Sequence, residues 1–204
     1  ASTVNTSSSD ATITLNLELK DDLSGIDSNN SYVAFYSPSN EQSVYGWLSD
    51  DKRISGTSTN AFYETEITIP KFSEAGFWEI SDYSLYISDE VDNYRYLTTD
   101  DLTSAGFSTG FTVASSESDT QAPTLESFAL SASTVDTSSS DATITLTTNI
   151  KDDLSGIDFA SIGFYSPSGN QSVWGYSSNS ERISGTSTNG VYEIEITIPQ
   201  YAES

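Results

Sequence analysis

Two stretches of this 204-residue chain carry the side chains best suited to hold a cation: Lys-Asp-Asp-Leu-Ser-Gly-Ile-Asp at Lys20 to Asp27, and the same run at Lys151 to Asp158. Each gathers three carboxylates, Asp21, Asp22 and Asp27 or Asp152, Asp153 and Asp158, around a Ser-Gly turn. Ca2+ takes about 6 to 8 hard oxygen ligands, and this donor set suits it. The competing reading is a solvated turn in which Gly supplies a positive φ and Asp accepts local backbone hydrogen bonds. A second group of candidates is aromatic. Tyr45 and Trp47 recur as Trp174 and Tyr176 with identities exchanged and spacing kept, so both rings of each pair leave one face of a strand. Such a pair can stack on a glycan, or pack in the core or over the rim of a sandwich. The acid pairs Glu64/Glu66 and Glu193/Glu195 are of the residue type that glycosidases use. Their two-residue spacing on one exposed strand face, with no cleft, argues against catalysis.

Composition narrows the classes. His is absent, which removes the usual general base, the commonest transition-metal ligand and every His-containing triad. No enzyme is expected. With 30 Asp and Glu against 7 Lys and Arg the formal charge is −23, so the surface repels nucleic-acid phosphates and anionic lipid and attracts cations. No apolar run reaches the roughly 18 residues of a membrane helix, and no signal-peptide core is present; direct membrane insertion is not expected. Cys is absent too, which says nothing about compartment. At 35% apolar and 12% aromatic residues the chain has enough hydrophobic surface to fold.

The elements that must position the candidates come as a repeat. Ala1 to Asp27 matches Ala132 to Asp158 at an offset of 131, and Phe35 to Ala75 matches Phe164 to Ser204 at an offset of 129. The two-residue loss falls just after the Asp-rich loop. A period near 130 residues is that of a self-contained domain rather than a solenoid unit. Ile13, Leu15, Leu17 and Leu19 alternate with polar residues over Ala11 to Lys20, as Tyr63, Thr65, Ile67 and Ile69 do up to Pro70, and both stretches read as half-buried strands. Further strands are expected at Tyr32 to Ser37, Gln42 to Leu48, Phe77 to Ile80, Ser84 to Ile87, Tyr94 to Thr98 and Gly110 to Val113. Arg53 to Asn60 and Asp89 to Asn93 read as turns. Short strands without a helical period predict an all-β, antiparallel β-sandwich.

The motifs Asp119-Thr-Gln-Ala-Pro-Thr-Leu125, Asp10-Ala-Thr-Ile-Thr-Leu15 and Asp21-Asp-Leu-Ser-Gly-Ile26 resemble the tandem bacterial Ig-like repeats of large secreted and cell-surface, adhesin-type proteins. The resemblance covers nearly the whole chain. It departs from the family's Asp-x-Ala-Gly-Asn turn, which here is Asp89-Glu-Val-Asp-Asn93. It implies tandem Ig-like sandwiches with both terminal repeats incomplete: residues 1–114 lacking a first strand, 115–122 a linker, and 123–204 lacking the last strands. In such a sandwich the loops of one end gather, which would bring Asp21, Asp22 and Asp27 near Asp89, Glu90 and Asp92. By the same logic Glu117 and Asp119 of the linker would meet Asp152, Asp153 and Asp158.

The expected function is therefore a structural or adhesive segment of an extracellular, cell-surface stalk, adhesin or filament, stiffened by calcium at domain junctions. Its expected partners are neighbouring repeats or subunits and surface glycans. The alternative is a carbohydrate-binding or accessory module of a secreted enzyme. A third reading has subunits completing one another by strand donation. The sequons at Asn5, Asn29 and Asn170 bear on none of these unless the chain is exported to a glycosylating environment.

Overall fold

The computed structural model describes residues 2–203. The chain is all-β and divides into two compact units, Ala1–Thr120 and Gln121–Ser204.

Unit 1 contains β1 (Thr3–Asn5), β2 (Ala11–Lys20), β3 (Ile26–Tyr36), β4 (Ser43–Trp47), β5 (Arg53–Gly56), β6 (Asn60–Ile69), β7 (Gly76–Glu79), β8 (Leu85–Asp89), β9 (Tyr94–Leu97), a short helix α1 (Thr99–Ser104) and β10 (Gly110–Ala114). Period-two alternation makes β2 and β6 strands, and they pair antiparallel along their full length from Ala11 opposite Ile69 to Lys20 opposite Asn60. With β5 they form one sheet. The other sheet runs β1-β10-β7-β3-β8-β9, with β4 on the free edge of β3. Every pairing is antiparallel except β1 with β10.

The inward faces of the two sheets share one core. Val33, Phe35, Val44 and Leu85 of the larger sheet pack with Ile67 and Ile69 of the smaller, and Trp78 and Phe111 close it. The ring of Phe35 meets that of Phe111 edge-on at 5.2 Å. Gly46 faces inward where β4 lies on β6: a Cβ there would stand 2.7 Å from Ile67 Cδ1, so the absent side chain sets how closely the sheets approach.

Unit 2 contains β11 (Thr124–Leu130), β12 (Ala142–Lys151), β13 (Ala160–Tyr165), β14 (Ser172–Ser177), β15 (Arg182–Gly185) and β16 (Asn189–Ile198). The pairing of β12 with β16, from Ala142 opposite Ile198 to Lys151 opposite Asn189, has the same register as that of β2 with β6. Strand β11 lies on the other side of β12, and β13 pairs with β14. The core is Ile144, Leu146, Ile194 and Ile196, with Phe164 and Val173 packed against it. Beside Phe164, Val173 and Ile198 lies a hollow of about 500 Å³; the corresponding surface of unit 1 is covered by Trp78 and Phe111.

Three local differences from the sequence reading have physical causes. Strand β3 begins at Ile26, not Tyr32, because a bulge between Asp27 and Tyr32 lets the polar run Asp27 to Asn30 stay in the strand beside β8. Arg53–Gly56 is a short edge strand rather than a turn, its register on β6 broken between Arg53 and Ser55. Helix α1 has no apolar period to announce it. It is set by a capping box, in which the Thr98 hydroxyl accepts from Asp101 N–H and the Asp101 carboxylate accepts from Thr98 N–H at 3.0 Å.

Candidate functional site

Alternation along β3, β4, β8 and β9 sends one set of residues into the core and the other to the outer face of the sheet. The outward set is aromatic. Register places Trp47 opposite Tyr32, Tyr32 opposite Tyr86, and Tyr86 opposite Tyr96, so four rings form one rung across four adjacent strands. Ring centroids are 4.9 Å apart for Tyr32 and Trp47, 5.8 Å for Tyr32 and Tyr86, and 5.0 Å for Tyr86 and Tyr96. Tyr45 stacks on Trp47 at 6.1 Å, Tyr94 on Tyr86 at 5.7 Å, and Tyr83 meets Tyr96 at 5.3 Å. Contact with neighbours orders the rings without burying them: Trp47 is 55% exposed and Tyr94 65%.

The ring hydroxyls converge. The Tyr36 phenol is held above its ordinary range first by its hydrogen bond with Tyr45 and then by burial. The Tyr96 phenol is raised by desolvation and by the neighbouring phenols of Tyr32, Tyr86 and Tyr94. Tyr36 and Tyr96 therefore stay neutral through physiological pH. The outward positions paired in register across β4, β3, β8 and β9 hold Tyr, Trp, Ser and Ala, and the charged residue among them is Asp27, opposite Ser88 at the end of β8 away from the rung. Arg95 alternates to the other side of β9 and pairs with Asp101 at 3.4 Å. The outer face of the smaller sheet is unlike this: Thr12, Thr14, Asn16 and Glu18 of β2 lie beside Glu64, Glu66 and Thr68 of β6.

Tyr45 and Trp47, expected from their spacing, thus lie on the outer face and not in the core. Tyr32, Tyr86, Tyr94 and Tyr96 were not singled out by sequence, because their adjacency depends on pairing between strands distant along the chain. The alternation of Tyr94 and Tyr96 about Arg95 was the available signal. In unit 2, Trp174 and Tyr176 are also exposed on β14, Trp174 against Tyr165 and Tyr176 against Phe159, each at 5.9 Å.

The acidic turns are built by local hydrogen bonds. Asp21 Oδ2 accepts from Leu23 N–H at 2.9 Å, Gly25 N–H at 2.8 Å and the Ser24 hydroxyl at 3.4 Å. The amides of Gly25 and Leu23 hold its pKa below the usual carboxylate range. Gly25 sits at φ +106°, the left-handed region open to glycine. Asp152 repeats the arrangement with Leu154 N–H at 3.0 Å and Gly156 N–H at 2.7 Å. Asp89 Oδ1 accepts from Val91 and Asn93 N–H and its Oδ2 from the Asn93 amide; the side-chain bond of Asn93 is the chief cause of its lowered pKa.

The two turns of unit 1 are neighbours: Glu90 N–H donates to Gly25 O at 3.0 Å, and the charge of Asp89 opposes ionisation of Asp21. A hollow of about 220 Å³ between them is lined by Asp21 and Asp89, and also by Lys20 and Arg95. Asp27 lies within β3 opposite Ser88, while Asp22, Glu90 and Asp92 are exposed around the turns. Asp21 makes all three turn bonds through one oxygen, and a carboxylate offers about four acceptor positions, so the turn leaves Oδ1 for a further partner. In the stretch ending unit 1, Glu117 is exposed, and the backbone of Asp119 is tied down by Phe72 O and the Gln42 amide. In unit 2, Asp153 and Asp158 are exposed.

Residues 117–204 match the model of a domain of unknown function, DUF7743. No curated protein and no solved structure matches the chain.

Proposed function

We propose that this chain is a structural and adhesive segment of an extracellular, cell-surface repeat protein. In this reading it is made of Ig-like modules with a period near 130 residues and is stiffened by calcium where one module follows another. The observation that carries the reading is the recurrence of one plan. The β2/β6 and β12/β16 pairs share their register, and both are followed by the same Asp turn, Asp21 on Gly25 and Asp152 on Gly156. Each unit has its own core, as a module in an array requires.

Calcium would use the oxygens that the turns leave over, with the acidic connecting stretch at Glu117 and Asp119 as the further source of donors; at −23 the chain gains from any bound cation. The test is thermal unfolding of the full chain at fixed ionic strength, with millimolar calcium and then with chelator. A ligand of the native state raises the midpoint by mass action. A rise specific to calcium over magnesium, lost in Asp152→Asn/Asp153→Asn, is the expected result; superimposable curves would reduce the motif to a turn.

A further inference from the structure

We infer that the outer face of β4, β3, β8 and β9 is a binding surface for a neutral, linear polysaccharide, with Trp47, Tyr32, Tyr86 and Tyr96 as its central rung. This inference rests on the adhesive reading above and names the surface through which adhesion occurs.

An exposed antiparallel sheet face ordinarily alternates to polar residues, as the outer face of the smaller sheet does with Thr, Asn and Glu around the single ring of Phe62 on β6. Five exposed rings on the opposite sheet, Tyr45, Trp47, Tyr83, Tyr94 and Tyr96, with half-buried Tyr32 and Tyr86 between them, have no such explanation, and a contiguous apolar patch on a folded module is a binding surface or a liability. The chemistry of the patch restricts its occupant. Its rings are Tyr and Trp, with no aliphatic residue at the outward positions of the rung. Each therefore offers a flat apolar face and a polar tip.

A sugar ring is the complement of such a side chain. Its C–H faces carry partial positive charge and meet the negative face of the aromatic ring, and its equatorial hydroxyls exchange hydrogen bonds with phenols that donate and accept. The phenols of Tyr32, Tyr86 and Tyr94 lie close enough to Tyr96 to act on its hydroxyl. The charge pattern selects a neutral sugar polymer. No cation sits on the rung to pair with a uronate or sulfate, and the field of a chain at −23 repels polyanions.

The shape selects a linear one. Four strands at the usual interstrand spacing carry the rung over roughly 14 Å, the span of a short oligosaccharide. Tyr45 and Tyr94 flank the rung on neighbouring positions of β4 and β9.

The test uses the full chain in affinity electrophoresis and titration calorimetry against hydroxyethyl cellulose, glucomannan, a soluble β-1,3-glucan and a chitin hexasaccharide. Alginate serves as the anionic control. Binding to at least one neutral glycan and not to alginate is expected. It should be weakened about tenfold or more by Trp47→Ala or Tyr86→Ala and left unchanged by Phe62→Ala on the outer face of the smaller sheet. Trp47→Phe and Tyr86→Phe keep the rings and the fold, and should weaken binding less than the alanine variants.

Failure of every neutral glycan to bind would overturn the inference, as would binding indifferent to Trp47 and Tyr86. Self-association in sedimentation that Trp47→Ala abolishes would give the surface to a second copy instead. Calcium-dependent melting is measured separately. Loss of the glycan result with the calcium result intact sinks this inference alone, and the reverse sinks only the calcium-stiffened joint.

Discussion

Glu181 shows how much a single polar residue contributes to these polar-surfaced modules. Its carboxylate accepts from Ser178 N–H at 2.7 Å, the Ser178 hydroxyl at 2.8 Å and the Ser180 hydroxyl at 2.7 Å, which lowers its pKa to about 2. A depressed folded-state pKa stabilises above the unfolded value, near 4.5, and that stability is lost as pH falls toward 2. The urea midpoint of the chain should therefore drop between pH 5 and pH 2, and Glu181→Gln should remove part of that drop. An unchanged pH profile in the variant would contradict the assignment. At the matching position of unit 1 stands Lys52, and Ser49 there caps without a side-chain bond. At this scale the sequence displayed the Asp turns fully, since Asp, Ser and Gly state their own local bonding. It left open whether the same carboxylates also take a cation, because a turn and a ligand set use the same residues.

Element by element, the strands that alternate cleanly were legible: β2 and β6 run where Ile and Leu recur every second residue, and Pro70 ends β6. What could not be read was which strands become neighbours. Tyr32, Tyr86 and Tyr96 share a rung only because β8 returns beside β3 and β9 beside β8, and nothing local in the chain encodes that. The glycines give a test of the pairing. At Gly56 (φ +93°) a Cβ would meet Asn60 O at 2.1 Å, and at Gly185 (φ +84°) it would meet Asn189 O at 2.2 Å. Both positions close the same hairpin corner against backbone that cannot yield. At Gly46 the obstacle is the end of the Ile67 side chain, which can turn aside at a cost of about 1–3 kcal/mol. Gly56→Ala should therefore destabilise more than Gly46→Ala in urea titrations; the opposite order would mean that the β5/β6 corner is built otherwise. Thr148 shows a substitution that the repeat alone does not explain. It replaces the Leu17 of the first copy, and it is buried with its hydroxyl donating to Ser127 O of β11 at 2.9 Å, so the polar group is satisfied by a strand that lies on that edge of β12.

On the scale of the whole molecule, the proposed role as a modular adhesive segment rests on two units with separate cores, a shared register of their long strand pairs and a common acidic turn. The recurrence was visible in the sequence because the match of Ala1 to Asp27 with Ala132 to Asp158, broken at five positions, needs no structure to detect. The aromatic ladder was not, since it exists only once a sheet is assembled. The hollow beside Phe164 and Val173 yields a further prediction. Appending a second copy of Gly76–Ala114 after Ser204 should supply the equivalents of Trp78 and Phe111 and raise the unfolding midpoint of unit 2; an unchanged midpoint would show that unit 2 does not follow the plan of unit 1. The most direct test of the calcium-stiffened role is small-angle X-ray scattering of the full chain in calcium and in chelator. The account predicts that calcium converts scattering from a flexible pair of units into that of a single fixed arrangement, and that Asp152→Asn/Asp153→Asn abolishes the change. Identical profiles in both conditions would contradict it.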